Sequence, residues 1–202
     1  MDIYTQLKKY TEFSTGQSKE VCELIYQDTF INGIVFTGYD LNNSSFLEVV
    51  FNSCDFSNVY LSGASICGST FNECIFLKNT FRKGKADYSI FNSTNLGELD
   101  SFRTSFYESQ FLNVMLKDSK LERCYLDESI FSNVKFENVK FLSSTFNNST
   151  FKNVQFINCH FEDSTFQNVT DFHEVHFVDS SITIGGKLKN GLSSNEIKDF
   201  LE

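Results

Sequence analysis

The chain is 202 residues long, with 26 acidic residues against 17 basic ones, a formal net charge of −9, and 24 Phe but no Pro. Direct binding to nucleic acid is not expected of that charge balance. No apolar run is long enough to span a bilayer and no charged-then-apolar leader opens the chain, so a cytoplasmic protein is expected.

In chain order, residues 2–11 set Ile3, Leu7 and Tyr10 on one helical face and predict a short amphipathic helix. Ser14 to Ser18 reads as a linker, and Val21 to Ile31 as a ragged lead-in. From Phe36 to Phe166 a large apolar residue stands at every fifth position. Of 27 such centres, 25 are Phe, Leu or Ile; only Ala86 and Ser101 break the rule. On a helix, a period of five scatters these groups around the cylinder, and on one continuous strand it alternates them between faces. The chain must therefore turn between repeats, one short extended side per repeat, as in a coil.

Columns at period 20 give the number of sides. Phe51, Phe71, Phe91, Phe111, Phe131 and Phe151 form one unbroken column, and Ser69, Ser89, Ser109, Ser129 and Ser149 another, two residues before the centres. Four sides per coil follow. The position two before each centre is small, because a Phe at every centre fills most of the interior. Asn recurs two after the centre, at Asn58, Asn113, Asn133, Asn138, Asn148, Asn153, Asn158 and Asn168, where left-handed corners are expected. One extra residue between Phe166 and Phe172 shifts the register, which Phe177 and Ile182 then continue. Ile184-Gly-Gly breaks it. Leu192 to Leu201 reads as a capped helix, with Ser193 or Ser194 as cap and Ile197, Phe200 and Leu201 on one face.

Segments such as Ser129-Ile-Phe-Ser-Asn, Val134-Lys-Phe-Glu-Asn and Cys159-His-Phe-Glu-Asp resemble the pentapeptide-repeat family. The resemblance covers roughly residues 26–182 and implies an all-β solenoid, a right-handed quadrilateral parallel β-helix. At this length it has about seven coils with short helices at its ends. The expected layout is a helix and lead-in at 1–25, the β-helix at 26–182 and a capping and dimerisation helix at 183–202. The Phe-rich centres and the size are similar to Qnr-type, quinolone-resistance members, which bind DNA gyrase and topoisomerase IV. That likeness implies a homodimer built by Leu192, Ile197, Phe200 and Leu201.

No Gly-rich phosphate loop, metalloprotease helix or nucleophile elbow appears, so neither an enzyme nor a cofactor is expected. Cys54, Cys74, Cys124 and Cys159 occupy the small inward position and read as free core thiols. His160, His173 and His176 fall on different sides, and no metal site is expected. Function is expected on the outside. Asp87, Glu108, Asp127 and Glu128 share one acidic side and are the candidate partner-binding residues, the sharp reading being a mimic of the nucleic-acid backbone that occupies a basic groove. Lys83, Arg103 and Arg123 align as a basic stripe, which a mimic does not need; a general scaffold with an unrelated partner is the alternative. The mid-rod defects at Ala86 and Ser101 read as local repacking or as a site, with Phe102 turned outward or recruited inward.

Overall fold

A computed structural model describes residues 2–191 and 193–201; of Ile184, Ser194, Lys198, Phe200 and Leu201 it describes the backbone alone. The expected dimer residues Leu192, Phe200 and Leu201 thus lie outside the described side chains.

Helix α1 spans Ile3–Ser14, and the Oδ1 of its cap Asp2 accepts the Thr5 N–H at 3.0 Å. Its apolar face, Leu7 and Tyr10, closes the first coil. The Tyr10 hydroxyl donates to the Asn42 carbonyl, and Tyr26 Oη donates to Gln6 Oε1 at 2.7 Å. The otherwise open strand edges are covered there.

Beyond α1 the chain winds as a four-sided parallel β-helix in which residue i lies beside residue i+20. Phe71 is flanked by Phe51 and Phe91, and Phe131 by Phe111 and Phe151, all in parallel register. There are about eight turns rather than seven. The expected span of 26–182 is itself close to eight periods of twenty residues, with Ile25–Gln27 pairing with Ser45–Leu47 at its start and the shifted segment Thr170–Val178 pairing along Thr150–Ile157 near its end. The extra residue is taken up as a bulge at Asp171, which adopts φ 52°.

The interior is one column of rings. Phe91, Phe111 and Phe131 stack nearly parallel at 5.1 and 5.0 Å between centroids, and rings of adjoining sides meet edge to face. Corners follow one rule. The residue two after each centre has a left-handed backbone from Asp28 to Asn168, whether it is Asn, as at Asn133 (φ 55°), or Lys83 (φ 56°), Arg103 (φ 53°) or Glu128 (φ 58°). A left-handed residue costs roughly 1–2 kcal/mol. Inter-coil hydrogen bonds offset it, such as Lys83 N–H to the Phe102 carbonyl at 2.8 Å.

The small inward position is also chemical. Ser69 Oγ accepts the Val49 N–H at 3.1 Å and donates to the Phe46 carbonyl at 3.0 Å, so one hydroxyl satisfies two corner groups of the coil below. Ser129, Ser144, Ser149 and Ser164 repeat the donation. Ser69→Ala is expected to cost about 1–3 kcal/mol by leaving both groups unpaired. Urea melts against a half-exposed Ser132→Ala control measure it; equal melts would show that the hydroxyl ladder is not structural.

Two defects interrupt this order. At Gly84 the ring of Phe81 leans across the empty side-chain position. Ser101 turns inward and donates to the Phe81 carbonyl at 3.2 Å, while Phe102 stays on the outer surface. These smaller groups and the Leu centres leave an apolar axial cavity of ≈ 30 Å³ beside Phe81, Leu99 and Leu121. Asn79 reaches the same cavity; its amide nitrogen donates to the Phe56 and Val59 carbonyls, and its Oδ1 is buried without a partner.

The far end closes with a hairpin, Ser181–Ile184 against Lys187–Lys189, turned by Gly185 and Gly186 at φ 56° and 74°. Helix α2, Ser194–Leu201, is capped by Ser193, whose Oγ accepts the Glu196 N–H while Glu196 accepts the Ser193 N–H at 2.9 Å. Ile197, expected at a dimer interface, is instead fully buried within its own chain, where α2 meets Thr170–Val178. An open coil end exposes apolar centres, and covering them is the first use of an apolar helix face. No helix among the described residues is long and apolar enough to cross a membrane.

Candidate functional site

The outer surface divides by face, and the face over the centres Ala86, Phe106 and Leu126 holds all four candidate carboxylates. They do not form one ladder. Asp87 and Asp127 follow their centres directly, with Tyr107 between them in the column. Glu108 and Glu128 stand at the adjoining corner beside Tyr88.

The two columns differ in role. Asp87 Oδ1 accepts the Tyr107 N–H of the coil above at 3.1 Å. Asp127 Oδ1 accepts the Asn147 N–H at 2.6 Å and its Oδ2 accepts the Thr145 hydroxyl at 2.9 Å. Both are half-buried. They brace successive coils as Asn42 and Asn147 do elsewhere, accepting the N–H of Ser62 and Gln167. Of the four candidate partner-binding carboxylates, two thus also hold the rod together, because a side chain one past the centre lies against the next coil.

Glu108 and Glu128 are exposed and take part in no ion pair among the described residues. Between them sits Tyr107. Hydrogen bonding to Glu128, desolvation and hydrogen bonding to Glu108 push its phenol well above the usual range. Tyr88 packs edge-on against Tyr107 at 6.0 Å, and Tyr125 is exposed on the same face. These tyrosines were missed in the sequence, although Tyr88 shares a period-20 column with Glu108 and Glu128. The arrangement offers amphipathic rings and fixed carboxylates to a basic surface.

The basic stripe is also in place. Lys83, Arg103 and Arg123 occupy one corner, and the Arg103 guanidinium lies 5.2 Å from the ring centroid of Phe102. Arg82 is different: it pairs with Asp100. On the neighbouring face Lys117 and Lys135 meet Glu137 at 2.9 and 2.6 Å; Lys135 first and then Lys117 bring its carboxyl down to about 2. The neutral side carries amide ladders, Asn32–Asn52–Asn72–Asn92 and then Asn113–Asn133–Asn153, linked at 2.7 to 3.2 Å.

All six Cys are free. Cys54 and Cys74 donate to the Ile31 and Phe51 carbonyls, and burial pushes the Cys159 thiol up to about 12. A buried thiol raised in this way is a packing group rather than a nucleophile, whereas the hydrogen bond from Cys74 lowers the Cys54 thiol to about 7. Among the described residues no group of three His, Cys, Asp or Glu is placed to hold a metal ion.

Two family profiles, both described as pentapeptide repeats, match residues 31–66 and 102–176. No curated protein sequence matches. Among solved structures the chain is similar to a trypsin-treated variant of QnrB1, a plasmid-mediated fluoroquinolone resistance protein. That match has 15% identity and a TM-score of 0.45, over 77% of this chain and 90% of that one. It is also similar to HetL, a pentapeptide repeat protein involved in heterocyst differentiation regulation from the cyanobacterium Nostoc sp. strain PCC 7120. There the identity is 12% and the TM-score 0.37, over 94% and 100% of the two chains. Rfr23, from the cyanobacterium Cyanothece 51142, is 11% identical with a TM-score of 0.25, over 85% and 97%.

Proposed function

The chain belongs to the pentapeptide-repeat family, and on that premise we propose that it is a non-catalytic interaction rod of the cytoplasm. It docks the acidic corner of its tyrosine-bearing face on the basic, DNA-holding surface of a type II topoisomerase, DNA gyrase or topoisomerase IV, and so protects it from quinolone-like poisons. The supporting observation is the pair Glu108 and Glu128: exposed, uncompensated by any ion pair among the described residues, one coil apart and flanked by Tyr107. Carboxylates repeating at the strand spacing of about 4.8 Å on a rigid rod present a line of negative charge to a groove that holds phosphates. The second reading is a scaffold for an unrelated partner, favoured by the cations Lys83, Arg103 and Arg123 along the neighbouring corner, which join no ion pair among the described residues.

The test is retention of gyrase and topoisomerase IV subunits on the immobilised intact chain. Glu108→Gln with Glu128→Gln is expected to weaken retention about tenfold at low salt with an unchanged melt. Asp87 and Asp127 are left in place because they brace the coils. Retention that is equal in the variant moves the site off this face, and an intact chain that holds no topoisomerase subunit leaves the second reading.

A further inference from the structure

The face over Ala86, Phe106 and Leu126 has a property that the acidic reading does not use. Along it and its two corners stand four cations, Lys83, Lys85, Arg103 and Arg123, and four anions, Asp87, Glu108, Asp127 and Glu128. Within a chain of net charge −9 these three coils of the face are neutral. None of the eight joins an ion pair among the described residues, whereas most charges of the other two charged faces do. The signs are also sorted: the corner where the chain enters the face is basic, and the corner where it leaves is acidic.

We propose that this face is a docking surface for a second copy of the chain, with the two rods parallel and related by a two-fold axis running along them. Such an axis exchanges the left and right edges of the face and keeps every residue at its own height. At each height the basic corner of one copy then meets the acidic corner of the other. Arg103 lies opposite the partner's Glu108, and Arg123 opposite the partner's Glu128. Nearer the middle, Lys85 lies opposite the partner's Asp87. Over the coils from Leu41 to Phe166 this operation sets no like charges against each other, and only in the lead-in coil do two carboxylates, Glu23 and Asp28, come opposite. Asn43 meets Glu48, Gly63 meets Gly68 and Ser143 meets Asn148. An axis across the rods at the level of Phe106 sets Arg103 against its own copy and Glu108 against its own copy, and is disfavoured by repulsion.

Spacing adds the second argument. Two rows of charge match over several pairs only if their repeats agree, and both rows here rise by the same inter-strand distance of about 4.8 Å. A second copy is commensurate without adjustment. Tyr107 and Tyr125 fall toward the centre of the contact together with Lys85, Asp87 and Asp127, and the corner charges Arg103, Arg123, Glu108 and Glu128 form its rim. One solenoid face is small, so the contact belongs with weak, salt-sensitive associations. It covers Glu108 and Glu128, so self-association and binding of a basic partner exclude each other. The inference rests on the rod alone and not on the topoisomerase reading.

A charge swap tests it in purified protein with no partner present. One variant carries Arg103→Glu and Arg123→Glu, the other Glu108→Arg and Glu128→Arg. Both are expected to fold, because corners with the same left-handed backbone already hold Glu and Arg. In sedimentation at high protein concentration and low salt the intact chain is expected to self-associate. Each variant alone is expected to do so at least about tenfold more weakly, and an equal mixture of the two to regain association. Leu188→Lys, on the exposed terminal hairpin, is expected to leave association unchanged. An intact chain monomeric throughout, a mixture no stronger than its components, or loss of association in Leu188→Lys alone would each overturn the proposal.

Discussion

Phe111→Ala is expected to lower stability by about 3–5 kcal/mol, the cost of truncating a buried aromatic residue into a cavity that cannot collapse. The ring is stacked between Phe91 and Phe131, with centroids at 5.1 and 5.0 Å, and its edge meets Phe106. Stacked coils cannot close around a missing ring, because the backbone spacing is held by inter-coil hydrogen bonds above and below. The neighbouring axial cavity would be enlarged rather than filled. Lys152→Ala, on the solvent side, is expected to change stability by less than about 0.5 kcal/mol. Urea melts of the two variants make the comparison, and similar midpoints would contradict the ring ladder.

Gly84→Ala is expected to cost about 1–3 kcal/mol, although it adds one methyl group. A Cβ at that position would lie 1.9 and 2.5 Å from two ring carbons of Phe81 and 2.9 Å from the Ala64 carbonyl oxygen. The ring must leave the space that it takes over Gly84 and repack against the axial cavity beside it. The cost is expected to shrink in a Phe81→Leu background, since the clash is with the outer ring atoms. A coupling of about 0.5–3 kcal/mol between the two positions is the signature in a double-mutant cycle. Additive effects would mean that Gly84 is required for its backbone and not for the ring.

The rod was legible because its rule is local and repeated. A five-residue period in Phe36 to Phe166 admits only a chain that turns after every repeat, and period-20 columns such as Phe51 to Phe151 fix the four sides. The free thiols, the α1 face and the Ser193–Glu196 cap follow from equally short-range patterns. The span of the rod was legible too, from the lead-in at Ile25 to the bulged return at Asp171, and at twenty residues per turn it holds about eight coils rather than seven.

The site was legible only in part. Asp87 and Glu108 look alike in sequence, each an acidic residue just past a centre. One position of offset decides whether the carboxylate accepts a backbone N–H from the next coil or stands free at a corner. Ile197 shows the same limit. Its helical periodicity is plain, but only the packed end reveals that its own coil takes the apolar side chain. Phe102 could equally have replaced Ser101 inside, and the choice was made by the room around Phe81 and by the partners that the Ser101 hydroxyl finds there. Periodicity by itself determined which residues face inward and that the chain stacks on itself, because that information is carried by spacing along the backbone. Which outward charges are spent on neighbouring coils, and which remain for a partner, was decided by distances between residues twenty apart in sequence.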